Sequence, residues 1–232
     1  MTPPPRIHYA TLETCSTASG VVAAIDVIRA YTAAAFGLAA GAGRILLTGT
    51  VAEALALRER FAGALVMGEV DGLRPPGFDF GNSPSELAEQ DLSGRTLIHR
   101  TSAGTQGALR AQNAAHLFGA SFVVAQATSR AVRALQPAEV TRVATGHRPG
   151  DPGDEDYALA DYLAGLLRGQ PADPRPYLAR VRSSQAAEKF LDPAQPEFPA
   201  ADLDCCLQLD RFAFAMPITR EDGLLVLRKQ EI

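Results

Sequence analysis

The chain lacks the residue patterns that would settle its class at once. Its three cysteines, Cys15, Cys205 and Cys206, have neither zinc-site spacing nor the pattern of a secreted disulfide scaffold, so reduced thiols and a cytoplasmic setting are expected. No apolar run approaches the length that crosses a bilayer, and the start, Met1-Thr2-Pro3-Pro4-Pro5-Arg6, has no signal-peptide pattern, so no membrane partner is expected. Basic charge is not in excess: the formal net charge is −4, which argues against nucleic acid as a partner. The familiar glycine motifs also fail. Gly41-Ala42-Gly43 precedes a strand pattern instead of following one, no Walker lysine follows a glycine-rich turn, and G-x-S-x-G is absent. Cys205 and Arg211 stand at the spacing of a cysteine-dependent phosphatase, but the residues between them hold no glycine and read as an amphipathic turn, poorly suited to wrapping a phosphate in N–H groups. Asp202-Leu203-Asp204 follows no buried strand and lacks the hydroxyl of an aspartyl-phosphate phosphatase.

What is present is a core-forming chain: 47% of the 232 residues are apolar, enough for one large domain. Short apolar runs at residues 21–25, 44–48, 64–67, 95–99, 121–125 and 140–144 read as buried strands. Helical patterns at residues 29–40, 51–61, 84–92, 106–115, 128–135 and 154–167 alternate with them. This alternation predicts an α/β fold with a largely parallel sheet flanked by helices. The expected core spans residues 1–168. Residues 169–232 are expected to form a proline-rich linker and a small appendage packing on that core, with a helix over 178–190 and a hairpin pairing 212–216 with 224–227. That apolar hairpin could serve a homodimer.

The stretch from Gly68 to Pro84 is too polar and glycine-rich to build a core. It leaves a strand and closes on Ser83-Pro84-Ser85-Glu86, where Ser83 can cap a helix, Pro84 can take the first position and Glu86 can complete a capping box. In a parallel α/β sheet, ligands sit outside the carboxyl ends of the strands, where helix N-termini converge. Four polar clusters fall there: Asp26, Arg29 and Thr32; Glu69 to Ser83; Thr101, Ser102, Gly104 and Thr105; and Asp154, Glu155 and Asp156 after His147 and Arg148. Hydroxyls and acids are ordinary helix caps, so the repetition of such clusters is the argument. Several carboxylates beside hydroxyl and amide donors suit a hard divalent cation, Mg²⁺ above all, together with a phosphate.

These residues carry a resemblance to the 2-phosphosulfolactate phosphatase family, the Mg²⁺-dependent phosphatases of coenzyme M biosynthesis. Asp26-Val27-Ile28-Arg29-Ala30-Tyr31-Thr32 resembles that family's D-V-L-R-A-T-T, and residues 69–84 resemble its E-R-G-G-x-x-x-x-G-F-D-x-G-N-S-P. Residues 101–105 resemble T-T-N-G-T, Asp154-Glu155-Asp156 resembles S-L-E-D, and residues 206–210 look like the closing C-L-x-x-D. The resemblance implies an α/β fold and hydrolysis of the phosphomonoester of a small 2-hydroxy acid, 2-phosphosulfolactate or a relative. On this reading Asp26, Asp79, Glu155 and Asp156 position Mg²⁺, and Glu69 is a further ligand or general base, so that Asp26, Glu69 and Asp79 form the catalytic set. Asn82, Ser83, Ser102 and Thr105 hold phosphate oxygens, with Thr32, Thr101 and Gly104 beside them, and Arg29 meets a substrate anion. Three positions depart from the pattern: Val70 stands for its arginine, Asp71 for a glycine and Ala103 for an asparagine. Arg74, Arg100 and Arg148 are the candidates to replace the lost guanidinium. The alternative function is a phosphate- or nucleotide-binding module that kept the fold and lost the chemistry.

Overall fold

A computed structural model of the chain describes residues 5–147, 150–170 and 172–232. The expected alternation is present. Strands β1 (Arg6–Thr11), β2 (Gly20–Ile25), β3 (Arg44–Thr48), β4 (Leu65–Gly68), β5 (Thr96–Arg100), β6 (Ala114–Ala120) and β7 (Glu139–Ala144) are separated, from β2 onward, by helices α1 (Ala30–Ala39), α2 (Val51–Arg60), α3 (Pro84–Ala88), α4 (Gly104–Arg110) and α5 (Ala125–Ala134). Helix α6 (Asp154–Leu167) follows β7 on its expected residues, and α7 (Arg175–Arg182), α8 (Gln185–Glu188) and α9 (Ala200–Cys206) precede β8 (Phe214–Glu221), β9 (Leu224–Leu227) and β10 (Gln230–Glu231).

The strand expected at 121–125 is not one. Strand β6 occupies Ala114–Ala120, and Phe122–Val124 is a single 3-10 turn whose three side chains are all fully buried. Burial on every side, where the chain turns from β6 into α5, selects the same apolar residues as a strand does, so periodicity could not separate the two. The alanines and glycine of β6 have a packing reason: a Cβ on Gly119 would lie 2.4 Å from the Tyr31 ring, which drops from α1 onto this strand. Helix α1 is buried along almost its whole length, and short alanine side chains are what let a helix sink that deep. The helix expected over 178–190 is two, α7 and α8, broken where the Ser184 hydroxyl donates to the Val181 carbonyl at 2.9 Å. Strand β1 and helix α9 carry no apolar periodicity strong enough to announce them.

The strand order is β1-β7-β2-β6-β8-β9-β3-β5-β4, with β10 pairing β8. Strands β1, β7, β2 and β6 form one parallel block and β3, β5 and β4 another. The C-terminal hairpin, expected to pack on the core as an appendage, is hydrogen-bonded into the middle of the sheet, β8 antiparallel to β6 and β9 antiparallel to β3. Its apolar alternation on both faces explains this: Phe214, Met216, Ile218, Leu225 and Leu227 join the main core, while Ala215 and Val226 face the other layer. Successive antiparallel pairings give the two parallel blocks opposite senses. Even so, their carboxyl ends meet at one site. Twist of roughly 20–25° per strand, summed over the strands between β2 and β3, turns one block across the other and makes that meeting feasible.

Candidate active site

A cavity of about 190 Å³ opens where the carboxyl ends of β2, β4, β5 and β7 converge. From β2 comes Asp26, whose Oδ1 accepts from the Ala30 N–H at 2.9 Å and so caps α1, while Oδ2 lies 3.4 Å from the Thr145 hydroxyl. Beside it stand Glu155 and Asp156, on the first turn of α6. Asp156 faces the backbone: it accepts from Val27 N–H at 2.8 Å and Gly146 N–H at 2.7 Å, tying the ends of β2 and β7 together. Glu155 lines the cavity, and its Oε2 is buried with no hydrogen-bond partner. Burial first, and then the charges of Asp151, Asp26 and Asp154, push its carboxyl up to about 7. Burial, with the charges of Glu155 and Asp26, also pushes Asp156 well above the usual carboxylate range, against the pull of its two N–H donors. Glycines make room for this acidic wall. A Cβ on Gly146 would lie 2.6 Å from Glu155 Oε1, and one on Gly104 would lie 2.8 Å from Asp26 Oδ2.

The facing wall is a tight turn. Val70 and Leu73 exchange both backbone hydrogen bonds, at 2.9 and 3.0 Å, around Asp71 (φ 52°) and Gly72 (φ 87°). Two positive φ values are what the type I′ two-residue hairpin turn requires, and Asp-Gly is among the pairs that supply them most readily. Glu69 holds this turn against α4, accepting from Ser102 N–H at 2.5 Å, Gly72 N–H at 2.6 Å and the Ser102 hydroxyl at 3.1 Å. Arg29 holds its tip, donating from Nη2 to the Gly72 carbonyl at 3.0 Å. The same guanidinium packs against the rings of Phe190 and Phe198, 5.0 and 5.3 Å from their centroids, and donates from Nη1 to Asp202 Oδ2 at 2.7 Å. Arg29, the expected substrate-anion contact, has Asp202 of α9 as its ion partner. Both members of that pair are buried.

Of the residues expected at the site, Asp26, Arg29, Glu69, Asn82 and Glu155 line the cavity. Others stand behind it. Thr32 donates to the Val27 carbonyl, Thr101 and Thr105 cap one another across the start of α4, and Ser102 is engaged with Glu69. Ser83 caps α3 as expected, accepting from Glu86 N–H, while the Glu86 carboxylate reaches back to Gly81 N–H. Ser83 also donates to Asp202 at 2.7 Å and lines an adjoining cavity of about 540 Å³ that shares Arg29, Gly72 and Asn82 with the first. Asp79 is not brought to the cavity. Its carboxylate accepts from Val66 N–H at 2.7 Å and braces the edge strand β4. Arg74 and Arg100 donate to backbone carbonyls, of Asp79 and of Glu69 and Gly49, and Arg148 lies outside the described residues. His147 is exposed and bonded to the Pro152 carbonyl.

Sequence reading missed Asp202, His99, Asp151 and Lys189. His99 is fully buried on β5, its Nε2 is 3.1 Å from Asn82 Oδ1, and burial pulls it down to about 3. A neutral ring that donates from Nε2 leaves the Asn82 amide nitrogen as a donor toward the cavity. Asp-Gly at 71–72 was the one legible signal left unused. The three cysteines are free and buried; burial, with Asp202 and Asp204 beside it, pushes the Cys205 thiol up to about 11, and burial raises Cys206 as well.

Among the described residues no three His, Cys, Asp or Glu side chains form a group ready to hold a metal unaided. Mg²⁺ makes no such demand, because it keeps several waters and takes one or two protein carboxylates beside substrate phosphate oxygens. The orphaned Glu155 oxygen, and a cluster whose members raise one another, suit such a cation.

A family model described as 2-phosphosulpholactate phosphatase matches residues 7–221. The chain is 36% identical over 201 residues to a "Probable 2-phosphosulfolactate phosphatase" of Bacillus subtilis, covering 86% of each chain. It is 41% identical over 150 residues to a protein of the same name in Deinococcus radiodurans, covering 63% of this chain and 62% of that one. Another, in Thermus thermophilus, is 38% identical over 158 residues, covering 66% and 65%. Among the described residues no helix is long and apolar enough to cross a membrane.

Proposed function

Because the chain belongs to the 2-phosphosulfolactate phosphatase family, we propose that it hydrolyses the phosphomonoester of a small 2-hydroxy acid, 2-phosphosulfolactate or a relative, to the alcohol and phosphate. The observation that carries this reading is the orphaned Glu155 oxygen, on the same wall as Asp26, at a cavity of about 190 Å³, smaller than the pockets that take drug-sized ligands. Asp26 and Glu155 would hold Mg²⁺, which when bound supplies the positive charge that neutralises phosphoryl oxygens. Asn82, turned by His99, donates to a phosphate oxygen. Arg29 is held by two aromatic rings and a carboxylate, and fixes the Gly72 carbonyl and the turn that closes the cavity. Asp156 and Glu69 are anchors: each spends its oxygens on backbone N–H groups, Asp156 fixing the acidic wall and Glu69 the facing turn. Glycines 104 and 146 keep the acidic wall clear of Cβ atoms.

The test is phosphate release from 2-phosphosulfolactate and 2-phospholactate by the purified protein, with Mg²⁺ and with a chelator. Release that needs Mg²⁺ and falls about a hundredfold or more in Glu155→Gln is expected. Release of no phosphate from either ester at any Mg²⁺ concentration would sink the reading. Calorimetric binding without release would replace it with the binding module.

A further inference from the structure

We propose that Lys189 is the specificity-determining residue of this site, binding the acid group of the substrate that lies farthest from the phosphoester. The inference rests on the phosphatase reading above. Lys189 follows α8 and lines the cavity. Its ammonium group lies 4.5 Å from the Phe198 ring centroid and 3.5 Å from where a Cβ on Gly72 would stand. It therefore sits at the tip of the 70–73 turn, while Asp26 and Glu155, the proposed cation site, form the other wall. A substrate whose phosphate lies at the acidic wall directs its tail toward the turn.

Charge explains why that tail needs Lys189. Asp26, Glu69, Asp71, Asp151 and Glu155 all line the cavity, and a multiply acidic ester must be drawn in against them. Arg29 stands on the same wall, donating to Asp202 at 2.7 Å and to the Gly72 carbonyl. Lys189 brings a second cation to the same wall. Its chemistry suits that role, because a point charge on a flexible stem follows a sulfonate or carboxylate whose orientation varies, where a guanidinium would need a fixed fork. The chain otherwise favours arginine heavily, since Lys189 and Lys229 are its two lysines among 22 lysine and arginine residues.

That scarcity supplies a direct test. Lys229 lies in the C-terminal segment beyond β9, pairs with Glu231, and serves as an internal reference. The full-length protein is treated with a limiting lysine acylating reagent in the presence of sulfolactate, lactate or inorganic phosphate, and the two sites are quantified by peptide mass spectrometry. Sulfolactate is expected to slow acylation of Lys189 about tenfold and leave Lys229 unchanged, with lactate and phosphate protecting much less. Equal acylation of Lys189 with and without sulfolactate would overturn the proposal. In turnover, Lys189→Met, which keeps the stem over the Phe198 ring, should raise KM for 2-phosphosulfolactate about tenfold more than for 2-phospholactate. The loss falls on KM more than on kcat, and Lys189→Arg recovers part of it. Equal effects on both esters would make Lys189 a phosphate ligand or a structural residue and overturn the assignment. A wild-type protein that hydrolyses neither ester removes the phosphatase reading, and the acylation result still decides whether Lys189 binds the acid.

Discussion

Asp202 gathers four donors on one fully buried carboxylate: Arg29 Nη1, the Ser83 hydroxyl, and the N–H and hydroxyl of Ser85. Removing one member of a buried ion pair leaves the other charged and unpaired, which costs about 3–5 kcal/mol. Asp202→Ala should therefore destabilise the protein by about that amount in urea unfolding. Arg29→Met combined with Asp202→Leu should cost clearly less than the sum of the single changes, because the double change strands no charge. His99 yields a second expectation, with a definite sign. Its folded value of about 3 lies below the ordinary 6.5, so the unfolded chain binds the proton that the folded chain refuses. The contribution is fully present above the unfolded value and is lost as pH falls from there toward the folded value. Between about pH 7.5 and about pH 5.5 the wild type should lose roughly 1 kcal/mol more than His99→Gln in matched urea titrations. Stability curves that stay parallel for the two proteins across this range would show instead that His99 is protonated in the native state.

At the scale of elements, the 70–73 turn is the piece that closes the site. Gly72 is doubly constrained: its φ of 87° disfavours any side chain, and a Cβ would meet the Phe198 ring at 2.9 Å. Gly72→Ala should cost about 1–3 kcal/mol and lower activity together, since the displaced ring is one face of the Arg29 clamp. A variant with unchanged stability and full turnover would show the clamp to be dispensable. Much of the element pattern was legible because it follows local rules. Strand β3 and helix α6 lie on their apolar periodicity, and Ser83 and Pro84 start α3 as caps do. What stayed hidden was long-range. Asp202 acquires its meaning from Arg29 across the fold, and His99 reads as core until Asn82 is placed beside it. Asp79 looked like a ligand because a loop carboxylate and a strand-bracing carboxylate are the same letter; only the Val66 N–H separates them. Lys189 stands in a segment with no motif at all.

For the molecule as a whole, the hairpin of β8 and β9 decides cohesion. It contributes apolar side chains to both layers and joins two parallel blocks that otherwise share no strand pairing. Without it β6 and β3 would each become an unpaired edge flanked by buried surface, a template for aggregation. If the hairpin were an accessory packed on a finished core, its amides would open at lower free energy than those of β6 and β3. Its position between them predicts the opposite ordering. In native-state hydrogen exchange, amides of β6, β8, β9 and β3 should open together at the global unfolding free energy, while those of the outer strands β1 and β4 exchange through smaller openings. A chain ending at Arg211 should correspondingly lose its single cooperative transition and precipitate. The cavity would be lost with it: its acidic wall belongs to the β2 block and its turn to the β4 block, so only a closed sheet holds Asp26 and Gly72 on opposite sides of it.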